Sequence, residues 1–256
     1  WRHNYHLAEK DLYDYESFDD ISTNRDIDIV YIVLPNAMHA EYVIRAARGG
    51  KHVICEKPMA TSIGDCHRMI DACPQAQVKL SMGYRLHFDP FNQEMMHLGQ
   101  NKILGSIEQI VARHGMDVGK KDQWRLNKKL AGGGPLMDLG IYCVQGALYT
   151  LGELPVAVNA RFLPKTNLDK FHDVEEGIEW EMEFPTGIKA ACQCSYSQEA
   201  DILRADVVSG WFELQPAFAY NGLKGRTSEG RMTLTSINQQ AAQMDDFALC
   251  IQNEAE

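Results

Sequence analysis

The sequence predicts an α/β fold in two parts. The first is a Rossmann-like, doubly wound parallel sheet whose N-terminal portion is missing from the chain. The second is an α+β domain with a large open, mostly antiparallel sheet. Three observations carry this. The run Asp28-Ile29-Val30-Tyr31-Ile32-Val33-Leu34 is continuously apolar and rich in β-branched residues, as in a parallel-sheet strand buried on both faces. Strand starts then recur roughly every 25 residues, the spacing of consecutive βα units. After Tyr84 the pattern changes to alternating segments joined by turns.

Each element has a local reason. Ala37 to Arg48 places Ala40, Val43, Ile44 and Ala47 near helical spacing and ends at Gly49-Gly50, a helix-stop signal. A strand from His52 to Cys55 follows, then a helix over about Ser62 to Ala72 and a strand over about Val78 to Met82. The right-handed crossover rule joins these units into one doubly wound sheet. An amphipathic helix over about Pro90 to Leu98 opens the second part. Its predicted strands are Ser106 to His114, Val156 to Leu163, Gly177 to Phe184, Ile188 to Tyr196 and Trp211 to Pro216. Pro185-Thr186-Gly187 between two alternating runs is a hairpin signal. The division expected is residues 1–83 for the dinucleotide-binding part and 84–256 for a substrate and oligomerisation domain. A first strand, Gly-rich turn and helix with G-x-G-x-x-G are missing, and both ends read as cut, the C-terminal one inside a helix. A protein of only these 256 residues, lacking that opening unit, is expected to be poorly soluble and not to bind dinucleotide.

Composition narrows the classes. The chain has 256 residues, 45% of them apolar, and a net charge of −10. An acidic chain without a basic cluster is a poor partner for nucleic acid or an anionic membrane. No apolar run reaches the roughly 18 residues of a membrane span. Seven cysteines without paired spacing read as free thiols. Cys192 and Cys194 share one strand face, but no second Cys/His pair lies near them in sequence. His87, His97, His114 and His172 also lack metal spacing, so no metal is expected.

The chemistry concentrates in two segments. In His52-Val53-Ile54-Cys55-Glu56-Lys57-Pro58 a buried strand ends on Glu56 and Lys57, and ligands of open α/β sheets bind outside the carboxyl ends of strands. Lys57 there would polarise a hydroxyl or carbonyl, and a cis bond before Pro58 would help to swing it toward a ligand. Glu56 reads equally as a strand-end carboxylate paired with Lys57. The second segment, Gly132-Gly133-Gly134-Pro135-Leu136-Met137-Asp138-Leu139-Gly140-Ile141-Tyr142, is a Gly-rich turn opening a helix. Asp138 and Tyr142 are spaced to share one face of it. A phenol titrates near 10, and a neighbouring cation such as Lys57 would lower that by one to three units. Tyr142 would then approach the range where proton transfer contributes roughly 10²–10⁴ in rate. The alternative is a core tyrosine satisfied locally.

Leu34-Pro35-Asn36-Ala37-Met38-His39, Glu56-Lys57-Pro58, Gly83-Tyr84-Arg85, Trp124-Arg125 and Gly132 to Tyr142, in this order, resemble the Gfo/Idh/MocA oxidoreductases over essentially the whole chain. Most members carry His where Tyr142 stands. The Tyr is similar to that of the glucose–fructose oxidoreductase group and of NADP-linked dihydrodiol and D-xylose dehydrogenases. The resemblance implies that Lys57 is catalytic and that Glu56 lies beside the nicotinamide. It implies that Leu34, Pro35, Asn36 and His39 run along the cofactor, and that Arg85, Trp124 and Arg125 contact cofactor or sugar. A cap role for Asn36 with an exposed His39 is the competing reading. The cofactor implied is NADP, with NAD as the alternative.

The leading expectation is an NADP(H)-dependent sugar oxidoreductase with Tyr142 as base, Lys57 stabilising the oxyanion and Asp138 orienting the substrate. A simple xylose, aldose or dihydrodiol dehydrogenase is the runner-up. A sugar- or nucleotide-binding paralogue without turnover, or a structural oligomer, is the alternative of another class. The alternation of Ile178, Trp180 and Met182 with Glu179, Glu181 and Glu183 predicts a homodimer or homotetramer through an apolar outer sheet face. The compartment expected is cytoplasmic, or periplasmic if an export signal precedes the chain.

Overall fold

The computed structural model describes residues 2–253, and its contacts divide the chain into two compact units, Trp1–Gly83 and Tyr84–Glu256.

In unit 1, a short helix α1 (Arg2–Tyr5) and two 3-10 turns precede β1 (Ile29–Ile32). The chain continues through α2 (His39–Arg48), β2 (His52–Glu56), α3 (Ile63–Gln75) and β3 (Leu80–Gly83). The three strands pair in the order β1-β2-β3, all parallel. Helix α2 turns Ala40, Val43, Ala46 and Ala47 into the core, where they meet Val53, Cys55, Met69 and Cys73. Ser62 caps α3 by accepting from the Asp65 N–H, which satisfies one of the four donors that a helix start leaves unpaired. The expectation for Asp28–Leu34 needs correction. Regular pairing covers Ile29–Ile32, only Ile32 is fully buried, and Val33 is 64% exposed. Among the described residues β1 has a neighbour on one side only, so its far flank lacks the cover that a two-sided apolar run presumes.

Unit 2 opens with α4 (Pro90–Gln100), where Asp89 accepts from the N–H groups of Phe91 and Asn92 and Pro90 fills the first helical position. Then come β4 (Ile107–Gly115), α5 (Lys128–Ala131), a π-type turn over Leu136–Gly140 and α6 (Ile141–Leu151). Seven strands follow: β5 (Ala157–Phe162), β6 (Gly177–Glu183), β7 (Lys189–Ser195), β8 (Ala200–Val207), β9 (Gly210–Leu214), β10 (Gly225–Thr227) and β11 (Gly230–Arg231). The last element is α7 (Gln239–Gln252). The sheet order is β11-β10-β9-β8-β4-β7-β6-β5, antiparallel at every step except β4–β7. Helices α4 and α6 pack together, and α6 lies on β4 and β7, burying Ile110, Ala112, Leu203, Phe212 and Leu214. Fully burying a side chain of this size contributes roughly 1.5–3 kcal/mol.

The large, mostly antiparallel sheet is as expected, but three of its strands were missed and one expectation is overturned. Strand β8 and the short β10 and β11 were not foreseen. Strand β8 alternates Leu203, Ala205 and Val207 inward with Arg204 and Asp206 outward, and that charge hides it in the sequence. The apolar row of β6 also lies on the inner face: Ile178, Trp180 and Met182 join the core, and Glu181 and Glu183 are exposed. The helices take up the apolar row, so the outer face is polar. It carries ion pairs between Arg161 and Glu179, Lys189 and Glu181 (2.7 Å), Arg204 and Glu213 (3.0 Å), and Arg226 and Glu213 (2.7 Å).

Candidate active site

Unit 1 contributes a pair of loops. Because β1 and β2 are parallel, their carboxyl ends lie on the same side of the sheet, the side on which open α/β sheets bind ligands. From β1 the chain passes Leu34 and Pro35 into a 3-10 turn over Asn36–Met38. From β2 it passes Glu56 and Lys57 into Pro58 through a cis peptide bond. His39 is fully buried between the two loops, with Nδ1 2.9 Å from the Pro58 carbonyl and Nε2 2.9 Å from the Leu34 carbonyl. It ties one loop to the other. The reading of an exposed His39 beside a capping Asn36 is therefore corrected: α2 starts without a side-chain cap, and Asn36 is 4% exposed. The Glu56 carboxylate is held at both oxygens. Oε1 accepts from the Tyr31 phenol and Oε2 accepts from the Lys57 backbone N–H at 3.1 Å.

Unit 2 contributes Asp138 and Tyr142. Gly132 ends α5 at φ 83°, a left-handed conformation suited to glycine. A Cβ on Gly134 would stand 2.4 Å from the Glu175 carbonyl oxygen, so only glycine lets the chain pass there. The helix expected from Pro135 is not regular from its start. A π-type turn carries Asp138, and α-geometry begins at Ile141; such insertions recur at functional sites. Asp138 Oδ2 accepts from Arg125 Nε and from the Tyr196 hydroxyl, each at 3.1 Å. Trp124 lies under the guanidinium of its neighbour Arg125, at 4.6 Å.

Tyr142 is 5% exposed and sits in a box of rings. Tyr84 and His114 have ring centroids 5.6 Å away, and Phe218 stacks at 6.1 Å. The Arg85 guanidinium lies 5.3 Å from the Tyr142 centroid. Asp201 of β8 fixes the wall of this box, accepting from the N–H groups of Ala217 (2.8 Å) and Phe218 (2.7 Å). The contacts of Arg85 fall inside the unit: it is 4% exposed and donates to the carbonyls of Phe218 and Ala219 and to Gln239.

The surroundings set which groups stay neutral. Burial pushes the Tyr84 phenol well above its ordinary value, and the neighbouring Tyr142 adds to this. Burial and then the charge of Asp138 push the Tyr196 phenol up, so it remains a donor to that carboxylate. Burial raises the Cys55 and Cys192 thiols to about 12, which leaves them poor nucleophiles. Among the described residues no cluster of three His, Cys, Asp or Glu could hold a metal ion. Tyr31, Tyr196, His114 and Phe218 were missed by sequence reasoning. Tyr31 and Tyr196 sit inside strand patterns that explain them as apolar, and His114 and Phe218 are brought to Tyr142 only by folding.

Residues 4–84 match the profile of the "Oxidoreductase family, NAD-binding Rossmann fold", and residues 92–210 match the "GFO/IDH/MocA C-terminal domain". D-xylose 1-dehydrogenase [NADP(+)] of Haloarcula marismortui is 31% identical over 94% of this chain and 70% of its own length. Trans-1,2-dihydrobenzene-1,2-diol dehydrogenase of Xenopus tropicalis is also 31% identical, over 61% of this chain and 47% of its own. The aldose-aldose oxidoreductase of Caulobacter crescentus, solved with glycerol, is 41% identical and superposes with a TM-score of 0.96 over 100% of this chain and 78% of its own.

Proposed function

The chain belongs to the Gfo/Idh/MocA oxidoreductase family, and from that premise we propose that it oxidises a sugar or sugar-like polyol at a CH–OH group with NADP(H). The observation that supports this best is the buried Tyr142, boxed by rings under a buried guanidinium, on the same helical segment as a carboxylate held by Arg125 and Tyr196. The similarity to an NADP-linked xylose dehydrogenase and to an aldose-aldose oxidoreductase supports the substrate class.

The residues of unit 1 fit a dinucleotide. Two adjacent parallel strands end in loops on one side of the sheet, and His39 braces those loops. Leu34, Pro35, Asn36 and Glu56 are the residues that would hold it there, with His39 acting as a brace rather than a contact. The nicotinamide of a bound dinucleotide would supply the hydride acceptor. Tyr142 takes the proton from the hydroxyl on the carbon that loses the hydride, so a carbonyl is formed and the charge balances. Lys57 stabilises the oxygen as charge builds on it, as a fixed cation near a developing oxyanion does. Asp138, held by Arg125 and Tyr196, presents an oriented acceptor to a second hydroxyl. Arg125 and Trp124 border the sugar.

A homo-oligomer through unit 2 is part of this reading, with a changed surface. Leu154, Val156, Val158 and Phe162 are exposed at 74%, 67%, 60% and 70%. Val158 and Phe162 lie on the edge strand β5 and Leu154 and Val156 just precede it, and an apolar edge left open promotes association. A second copy of this chain is the occupant proposed, and light scattering that returns a monomer at micromolar concentration would remove it.

The test of function is steady-state kinetics with NADP+ and a panel of aldoses. NADPH accumulating with a single sugar identifies a simple dehydrogenase. Ping-pong kinetics with two sugars and a retained cofactor identifies a sugar–sugar oxidoreductase. No cofactor reduction with any aldose or dihydrodiol would end the proposal.

A further inference from the structure

Arg85 is an unusual cation. It is 4% exposed, and among the described residues its hydrogen bonds go to neutral groups: Nη2 to the Phe218 carbonyl at 2.6 Å, Nη1 to the Ala219 carbonyl at 3.0 Å, and Nη1 to Gln239 Oε1. Its Nε has no hydrogen-bond partner among the described residues, and no carboxylate pairs with it there. A buried charge ordinarily needs an ion partner. What the guanidinium meets instead is π-faces, Tyr220 at 3.9 Å and Tyr142 at 5.3 Å from the ring centroids. Gln239, the first residue of α7, fixes it from behind and itself donates to Asp89 Oδ2 at 2.8 Å. Asp89 in turn caps α4.

We propose that Arg85 is a positioning residue for Tyr142: the Asp89–Gln239–Arg85 chain holds an unneutralised guanidinium against the ring, fixing its plane and favouring its phenolate form. This rests on the reading of Tyr142 as the base. Within unit 2 the other titratable or charged groups around Tyr142 are Tyr84, His114 from β4, Asp138 and Cys143 on its own helical segment, and Asp201 from β8. Tyr84 and Cys143 are both held neutral by burial, and Asp201 is engaged by backbone N–H groups. Asp138 is neutralised by Arg125. Among the described residues of unit 2, Arg85 is a charge beside Tyr142 with no counterion, and an uncompensated cation next to an acid lowers its pKa by one to three units.

The test is a spectroscopic titration of Tyr142 itself, read as the phenolate difference spectrum between the wild-type protein and Tyr142→Phe. It needs no turnover. In the wild type Tyr142 should ionise below the ordinary phenol value of about 10. In Arg85→Gln it should rise by about one unit or more, a tenfold or greater loss of phenolate at fixed pH, and Arg85→Lys should restore most of the shift. If Arg85→Gln does not fold, the wild-type titration and Arg85→Lys carry the test. A Tyr142 that ionises at or above the ordinary value in the wild type, or that is unmoved by Arg85→Gln, overturns the proposal. If the titration moves as expected while the pH profile of turnover stays put, the Arg85 assignment stands and the base role of Tyr142 falls.

Discussion

The two units hold their candidate residues by different means. In unit 1 the loops after β1 and β2 are fastened through main-chain atoms: His39 reaches the Leu34 and Pro58 carbonyls, and Glu56 takes the Lys57 N–H. In unit 2 the candidates are held by side chains distant in sequence. Arg125 and Tyr196 fix Asp138, while Arg85, anchored by Gln239, covers Tyr142. The first arrangement fixes the path of the loop backbone, which suits a cofactor common to many reactions. The second depends on the identity of each partner, which suits a site that must select one substrate and tune one proton transfer.

The largest effect expected is at the tip of the unit 1 loops. Lys57→Met should lower turnover by roughly 10² or more, the scale seen when one electrostatic donor to an oxyanion is lost. Cofactor KM should change less than turnover. Stopped-flow and steady-state rates decide this, and a large rise in cofactor KM with normal turnover would break the division of labour.

His39→Leu should do the reverse. It removes the ring that lies between the two loop carbonyls and leaves a buried carbonyl without its donor, which should cost about 1–3 kcal/mol, seen in denaturant unfolding, with a raised cofactor KM and a nearly normal rate at saturation. A variant with unchanged stability would mean that the loops are fastened elsewhere.

A smaller, pH-dependent effect is expected in unit 2. Burial pushes the Glu176 carboxylate up, but hydrogen bonds from Ser197, Thr166 and Asn167 outweigh it and hold the group below its ordinary value. A depressed carboxylate adds stability above its unfolded-state value, and that stability is lost as pH falls through the folded one. Glu176→Gln should therefore cost about 1 kcal/mol near neutral pH, with the difference vanishing in acid. Denaturant midpoints against pH test it, and a constant difference down to low pH would contradict it.

The same contrast explains what was legible in the sequence. Glu56 and Lys57 could be placed because one strand and one proline define their position, and the spacing of Asp138 and Tyr142 marked a shared helical segment. The π-type turn beneath Asp138 was invisible, because it is set by Gly134 passing Glu175 and by the fit of Gly140 against Trp180 and Cys194. Arg85 stood out only by its neighbours Gly83 and Tyr84. Its link to Gln239 spans 154 positions, beyond any local pattern. Strand β8 was missed because its outward charges break the apolar run, although Asp201 on it braces the wall beside Tyr142. Features made by nearest neighbours along the chain could be read, and those made by tertiary partners could not.

Tyr142 is the residue proposed to move the proton. Tyr142→Phe removes one hydroxyl and almost no volume, so the ring box and the Arg85 contact should survive. Steady-state kinetics of this variant with NADP+ and the best aldose should show turnover lowered by at least roughly 10², with cofactor KM unchanged. Turnover within a few-fold of the wild type would mean that another group takes the proton.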